Sequence, residues 1–240
     1  MATIAQPTAT YRSDQAFFVK LAIFLSVLIV FSFAQNAALG RVDLRTMPLW
    51  VHLHALLMLA WLGLFVTQNR LAAAGNLALH RKLGWLAAYL VVGIVALSSF
   101  AGIMALKRHA VPPFYSDAHF LALTQTDAVV FGGLVFAAIT RRTETEYHRR
   151  LMMGATIMIL DPALGRLLPM PLMGGWGDWA VLAVQLVLVG MIALHDRRIL
   201  GRIHPATATS GAIIAMAHVF VTVAGYNPEI AQIAASIAAG

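Results

Sequence analysis

Residues 48–68 read PLWVHLHALLMLAWLGLFVTQ, an apolar stretch whose only titratable side chains are two histidines. A helix rises about 1.5 Å per residue, so about 20 apolar residues cross the hydrocarbon core of a bilayer. The stretch is therefore predicted to be a membrane-spanning helix. Its apolar run is continuous, whereas a membrane β-barrel has short segments of alternating polarity.

The same pattern recurs along the whole chain. Of the 240 residues, 60% are apolar and 11% are charged, whereas ordinary soluble domains have about 45–50% and about 25%. We therefore predict an all-α protein, a single polytopic transmembrane bundle of seven helices, in which Asp161-Pro162 interrupts the fifth. The predicted spans are about 17–38, 48–68, 83–105, 118–140, 149–168, 177–196 and 206–226, followed by a short surface helix over 228–239.

Basic residues predict the orientation of these spans. Twelve of the 17 Lys and Arg residues fall on the side of the N-terminus: Arg12, Lys20, Arg70, Arg81, Lys82, Arg141, Arg142, Arg149, Arg150, Arg197, Arg198 and Arg202. Excess Lys and Arg mark the cytoplasmic face of a membrane protein. The chain is therefore predicted to lie in a bacterial inner membrane with a cytoplasmic N-terminus and a periplasmic C-terminus. The basic side chains at 149 and 150, with His148, are expected to lie near lipid phosphates.

The net charge of +7 does not indicate a nucleic-acid partner, because the basic residues lie in short loops between apolar spans. The absence of cysteine excludes disulfides, thiolate-bound zinc and covalently attached c-type haem. Any metal must therefore be bound by His, carboxylate or Met side chains.

Polar residues in the outer half of the spans predict a shared site. Asp127, Asp161 and His218 come from three spans, yet they lie at nearly one depth, about 10–14 Å below the outer interface. His52 and His54 lie slightly closer to that interface, and helical geometry favours His54 as the one that points inward. A carboxylate within a span costs roughly 2.5–3.5 kcal/mol, so it normally has a partner or a function.

This pattern leaves several functions open. His54 or His52 with Asp127, Asp161 and His218 would suit zinc or non-haem iron in an enzyme that acts on a lipid-like or other hydrophobic molecule. A b-type haem is an alternative, because His204 and His218 are 14 residues apart, and an inner haem would then use His204 with His80, His148 or His195. A proton-coupled transporter and an accessory subunit of a larger membrane complex are further alternatives.

Two stretches resemble bacterial multi-spanning membrane proteins of unknown function. One runs from His52 to Gly84 and includes His80-Arg-Lys-Leu-Gly; the other runs from Tyr147 to Arg166 and includes His148-Arg-Arg-Leu-Met. The resemblance implies the fold and a role for His54, His80 and His148. The seven-span layout is also similar to that of adiponectin-receptor and alkaline-ceramidase membrane hydrolases, whose zinc is bound by histidines of the second and seventh spans. This chain has only His218 in its seventh span, so the likeness is one of layout.

Overall fold

The structure is a computed structural model that describes the backbone of residues 9–240 and the side chains of residues 14–240. The described residues form α-helices and two short 3-10 helices, without strands. The α-helices are α1 (Ala9–Ala38), α2 (Leu49–Ala73), α3 (Leu77–Lys107), α4 (Asp117–Thr140), α5 (Thr145–Met158), α6 (Asp161–Leu167), α7 (Met170–Met173), α8 (Gly177–Leu200), α9 (Pro205–Gly225) and α10 (Pro228–Ala239).

Six helical segments of the described chain are long and apolar enough to cross a membrane. Their mean hydropathy ranges from 1.6 to 2.5, and they cover Asp14–Ala38, Leu49–Ala73, Leu77–Lys107, Asp117–Thr140, Met170–Leu200 and Pro205–Gly225. Large apolar side chains such as Phe31, Leu56 and Phe136 are exposed on them. Such an extended apolar surface is favourable in contact with lipid acyl chains and unfavourable in contact with water. The protein is therefore a multi-pass helical membrane protein in contact with a lipid bilayer.

The fifth predicted span differs from a regular helix. In its place the chain forms α5 and α6, which are separated by a turn at residues 159–160. Pro162 has no amide hydrogen to donate to the carbonyl of Met158, four residues earlier, so the helix cannot continue through this point. The sequence predicted an interruption of the span over 149–168 at Asp161-Pro162, and the structure has α5 and α6 on the two sides of a turn at this point.

Side-chain contacts define two ends of the bundle. At the Arg150 end, where Arg149 and Arg150 lie, α1, α5 and α9 begin and α8 ends. At the Asp178 end, where Asp178 and His119 lie, α4 and α8 begin and α9 ends. The helix α10 packs its fully buried Ala234 close to Leu106 and Leu121, beside α3 and α4.

The core is continuous between the two ends. Trp61 of α2 meets the ring of Phe131 of α4 edge-on, with ring centres 5.2 Å apart, and both side chains are almost completely buried. The helix α4 packs against α3, α5 and α9 and so occupies the centre of the bundle.

A glycine sets the closest approach between α5 and α9. A Cβ atom at Gly154 would lie 2.3 Å from Oγ and 2.5 Å from Cβ of Ser210. We predict that Gly154→Ala lowers the free energy of unfolding by about 1–3 kcal/mol, because the two helices must move apart. Denaturation of the purified protein in detergent measures the change.

Gly190→Ala is the matched control, because a Cβ at this helical glycine meets nothing within 4 Å. That variant is expected to be as stable as the wild type or slightly more stable, since alanine favours a helix over glycine. Equal stability of the two variants would contradict the close approach of α5 and α9.

Candidate functional site

A small cavity lies where α4, α6, α8 and α9 meet. It leaves about 10 Å³ for the centre of a water molecule, which is room for one water. Three residues predicted from the sequence line it, namely Asp127 of α4, Asp161 of α6 and His218 of α9. The other lining residues are Leu123, Met158, Gln185, Ile214, Ala217 and Val221. Within the described chain, no Lys or Arg is among the lining residues.

The break in the fifth segment places Asp161 in this cavity. Because Pro162 has no amide hydrogen, the carbonyl of Met158 lacks its helical donor, whereas the carbonyl of Ile157 accepts a hydrogen bond from the Leu160 amide at 3.1 Å. The side-chain nitrogen of Gln185, on α8, lies 3.2 Å from each of these oxygens and 3.0 Å from Oδ2 of Asp161. Gln185 is 1% exposed, so its amide hydrogens are shared among these three acceptors and tie α8 to the break.

Two polar atoms at the cavity have no hydrogen-bond partner in the part of the chain that the structure describes. They are Oδ1 of Asp127 and Nε2 of His218, and both are buried. Polar atoms removed from water normally have a partner, and each exception requires an explanation. Here both atoms belong to residues that line the cavity, so they are available to a small polar occupant of it.

A second polar group lies beside the cavity at the Asp178 end. Nε2 of His119 lies 3.0 Å from Oδ2 of Asp178, which joins α4 to α8. The ring of Tyr115 stacks on His119 with centres 5.0 Å apart. Burial raises the pKa of the Tyr115 hydroxyl, and the neighbouring Asp178 carboxylate raises it further. The Tyr115 hydroxyl beside this pair is therefore neutral at neutral pH.

The predicted ligands His52 and His54 do not line the cavity. They lie on α2, which packs against α1 and α3. Counting residues along a span gives the depth of a side chain but not its position around the bundle. The sequence-based prediction therefore placed all five candidate ligands in one site. Across the described residues, no group of three or more His, Asp or Glu side chains is placed to hold a metal ion. The five predicted ligands therefore do not form one coordination sphere in this structure.

The Arg150 end contains an ion-pair network. Arg150 Nη2 lies 2.6 Å from Oδ1 of Asp196, and both side chains are fully buried. Oδ2 of Asp196 accepts hydrogen bonds from the His204 amide at 3.1 Å and from the Thr207 hydroxyl at 2.6 Å. The network therefore links α5, α8 and the start of α9.

Arg149 extends this network to α1. It pairs with Asp14 and with Glu146, and the other oxygen of Asp14 lies 2.8 Å from Nε2 of His195. Burial would raise the pKa of Glu146, but Arg149 and Arg150 outweigh burial and lower it. The expectation that both arginines lie near lipid phosphates is wrong, because they are buried among carboxylates. The Asp14 and Asp196 partners were the available signal, since both are acidic residues near the ends of predicted spans.

The histidines of the haem alternative have separate partners. His204 caps α9, where its Nδ1 accepts a hydrogen bond from the Ala206 amide at 3.1 Å. Burial lowers the pKa of His204, and the positive charge of Arg150 lowers it further. The rings of His80 and His148 lie beside each other with centres 6.2 Å apart.

No family model, curated protein or solved structure matches this chain.

The buried pair at the Arg150 end gives a stability prediction. Arg150→Met leaves the Asp196 carboxylate buried without its cation, and loss of one partner from such a pair typically costs about 3–5 kcal/mol. We expect this loss in the free energy of unfolding in detergent. Arg198→Met, at an exposed position two residues beyond Asp196, should change it little.

The double variant Arg150→Met/Asp196→Asn should recover part of the lost stability, because the neutral carboxamide still has an oxygen for the amide and hydroxyl donors. If Arg150→Met unfolds like Arg198→Met, the network does not stabilise the bundle.

Proposed function

We propose that this protein is a proton-binding, multi-pass membrane protein whose cavity at Asp127, Asp161 and His218 acts in proton-coupled transport. The observation that carries the proposal is the meeting of two carboxyl groups and an imidazole, from three separate helices, in one water-sized cavity. Side chains that titrate within a membrane bundle are the usual components of proton pathways.

Electrostatics supports a bound proton. Two carboxylates that share a poorly solvated cavity repel each other, and such pairs retain one proton because both cannot be ionised together. None of the described lining residues is a Lys or Arg that would offset the second charge. The Asp127–Asp161 pair is therefore expected to hold a proton that His218 or a water in the cavity can receive.

The size of the cavity supports a proton over a larger substrate. Room for one water is far below the roughly 300–1,000 Å³ of small-molecule sites. The zinc or non-haem iron site, the enzyme acting on a lipid-like molecule and the haem b alternative stay predictions. Elemental analysis and an absorption spectrum of the purified protein test them.

We also propose that α5 and α6 together form a seventh span. The start of α5 lies at the Arg150 end, while near the end of α6 the carbonyl of Arg166 accepts a hydrogen bond from Gln35, close to the end of α1. Together with the excess of basic residues, this supports a cytoplasmic Arg150 end, a periplasmic Asp178 end and a bacterial inner membrane. Other membrane subunits are possible partners of the exposed apolar faces.

Infrared spectroscopy tests the shared proton directly. At neutral pH the wild type should show the carbonyl band of a protonated carboxylic acid. Asp127→Asn and Asp161→Asn should each weaken it, because the remaining carboxylate no longer has a like-charged neighbour. Asp117→Asn is the control, since Asp117 is an exposed carboxylate at the start of α4 and should leave the band unchanged.

Transport is tested with the same variants in liposomes that contain a pH-sensitive dye. An imposed membrane potential should drive proton uptake by the wild type and by Asp117→Asn, and uptake should fall at least about tenfold in both cavity variants. A wild type without the carboxylic-acid band, or cavity variants with full band and full uptake, would contradict the proposal.

A further inference from the structure

His80 and His148 form a pair at the Arg150 end, away from the proton cavity. His80 lies in the first turns of α3 and His148 in the first turn of α5. Their ring centres are 6.2 Å apart and the ring planes are nearly perpendicular, at 85°. The two residues come from parts of the chain 68 positions apart, so it is the packing of the bundle that brings them together.

Backbone carbonyls hold both rings in one tautomer. Nδ1 of His148 lies 2.8 Å from the carbonyl oxygen of Ala138, and Nδ1 of His80 lies 3.3 Å from that of Gln68. A carbonyl only accepts hydrogen bonds, so each Nδ1 carries the proton and each Nε2 presents a lone pair. Histidines that ligate metals are commonly oriented by this same bond from the other ring nitrogen.

The surroundings leave these lone pairs free. In the described part of the chain, neither Nε2 accepts a hydrogen bond from a protein group. The carboxamide nitrogen of Gln68 donates to the His80 carbonyl at 3.0 Å, and its Oε1 is buried without a partner among the described residues.

We propose that His80 and His148 bind one first-row transition-metal ion through their Nε2 atoms. With metal–nitrogen bonds of about 2.0–2.1 Å, two imidazoles on one ion have ring centres on the order of 5–6.5 Å apart, and the observed 6.2 Å lies in this range. Imidazole ligands suit zinc, copper and nickel. Water is the further ligand that we expect on the ion. This site is independent of the proton cavity.

Copper(II) is the probe for the test, because its electron paramagnetic resonance spectrum shows the nitrogen atoms bound to it. The purified full-length wild type should bind one equivalent with two imidazole nitrogens. His80→Asn and His148→Asn are informative variants, since the asparagine amide can keep the bond to the carbonyl while Nε2 is lost. Each should lower the affinity at least about tenfold and remove one nitrogen coupling.

His52→Asn is the matched control, because His52 lies at the opposite end of α2 from Gln68. It should bind copper as the wild type does, and all variants should keep the thermal stability of the wild type. The proposal is overturned if the wild type shows no two-nitrogen signal, if the asparagine variants keep full affinity, or if His52→Asn loses as much. A haem absorption spectrum of the purified protein would also contradict the binding of a bare metal ion by His80 and His148.

Discussion

The break between α5 and α6 needs hydrogen-bond donors from outside the helix, and the Gln185 side chain supplies them. Pro162 cannot donate to the carbonyl of Met158, and a bilayer interior offers no water to replace the missing bond. The Gln185 amide contacts the carbonyls of Ile157 and Met158 and also Asp161. One side chain therefore stabilises the interrupted segment and holds a carboxyl group at the cavity, so the backbone break and the polar site depend on the same contact.

Acidic side chains have different surroundings at the Arg150 end and at the cavity. At the Arg150 end, Asp14, Glu146 and Asp196 all pair with arginines. Asp127 and Asp161 both line the cavity, and no lysine or arginine is among its described lining residues. Compensated charges connect the helices, whereas carboxyl groups without a nearby cation are costly in a poorly solvated place. The Arg150 end therefore connects helices, and the cavity is where we propose that a proton is bound.

Much of the architecture could be predicted from hydropathy alone. Apolar runs identify the long helices, and Asp161-Pro162 marks the interruption, because both signals are local. Depth along a span predicted that Asp127, Asp161 and His218 lie at one level, since helical rise converts residue number into distance, and these three residues line one cavity. The same reasoning predicted His52 and His54 as further members, but they lie on α2 and do not line this cavity, because depth does not say which helices are neighbours.

The contacts that the sequence did not reveal all join distant parts of the chain. Arg150 pairs with Asp196, the Gln185 amide binds the carbonyl of Ile157 beside the helix break, and His119 contacts Asp178. Each pair depends on which helix faces which, and a single sequence has no periodicity that encodes this. Arginines at a predicted membrane boundary are compatible with lipid phosphates or with buried carboxylates, and only the packing distinguishes the two.

A double-mutant cycle between Gln185 and Pro162 tests the central dependence most directly. Pro162→Ala restores an amide that can donate to the Met158 carbonyl, so Gln185→Leu should destabilise that variant less than it destabilises the wild type. The free energies of unfolding should show a coupling of about 0.5–3 kcal/mol. Additive effects, within about 0.3–0.5 kcal/mol, would show that Gln185 does not compensate for the break, and would contradict the account.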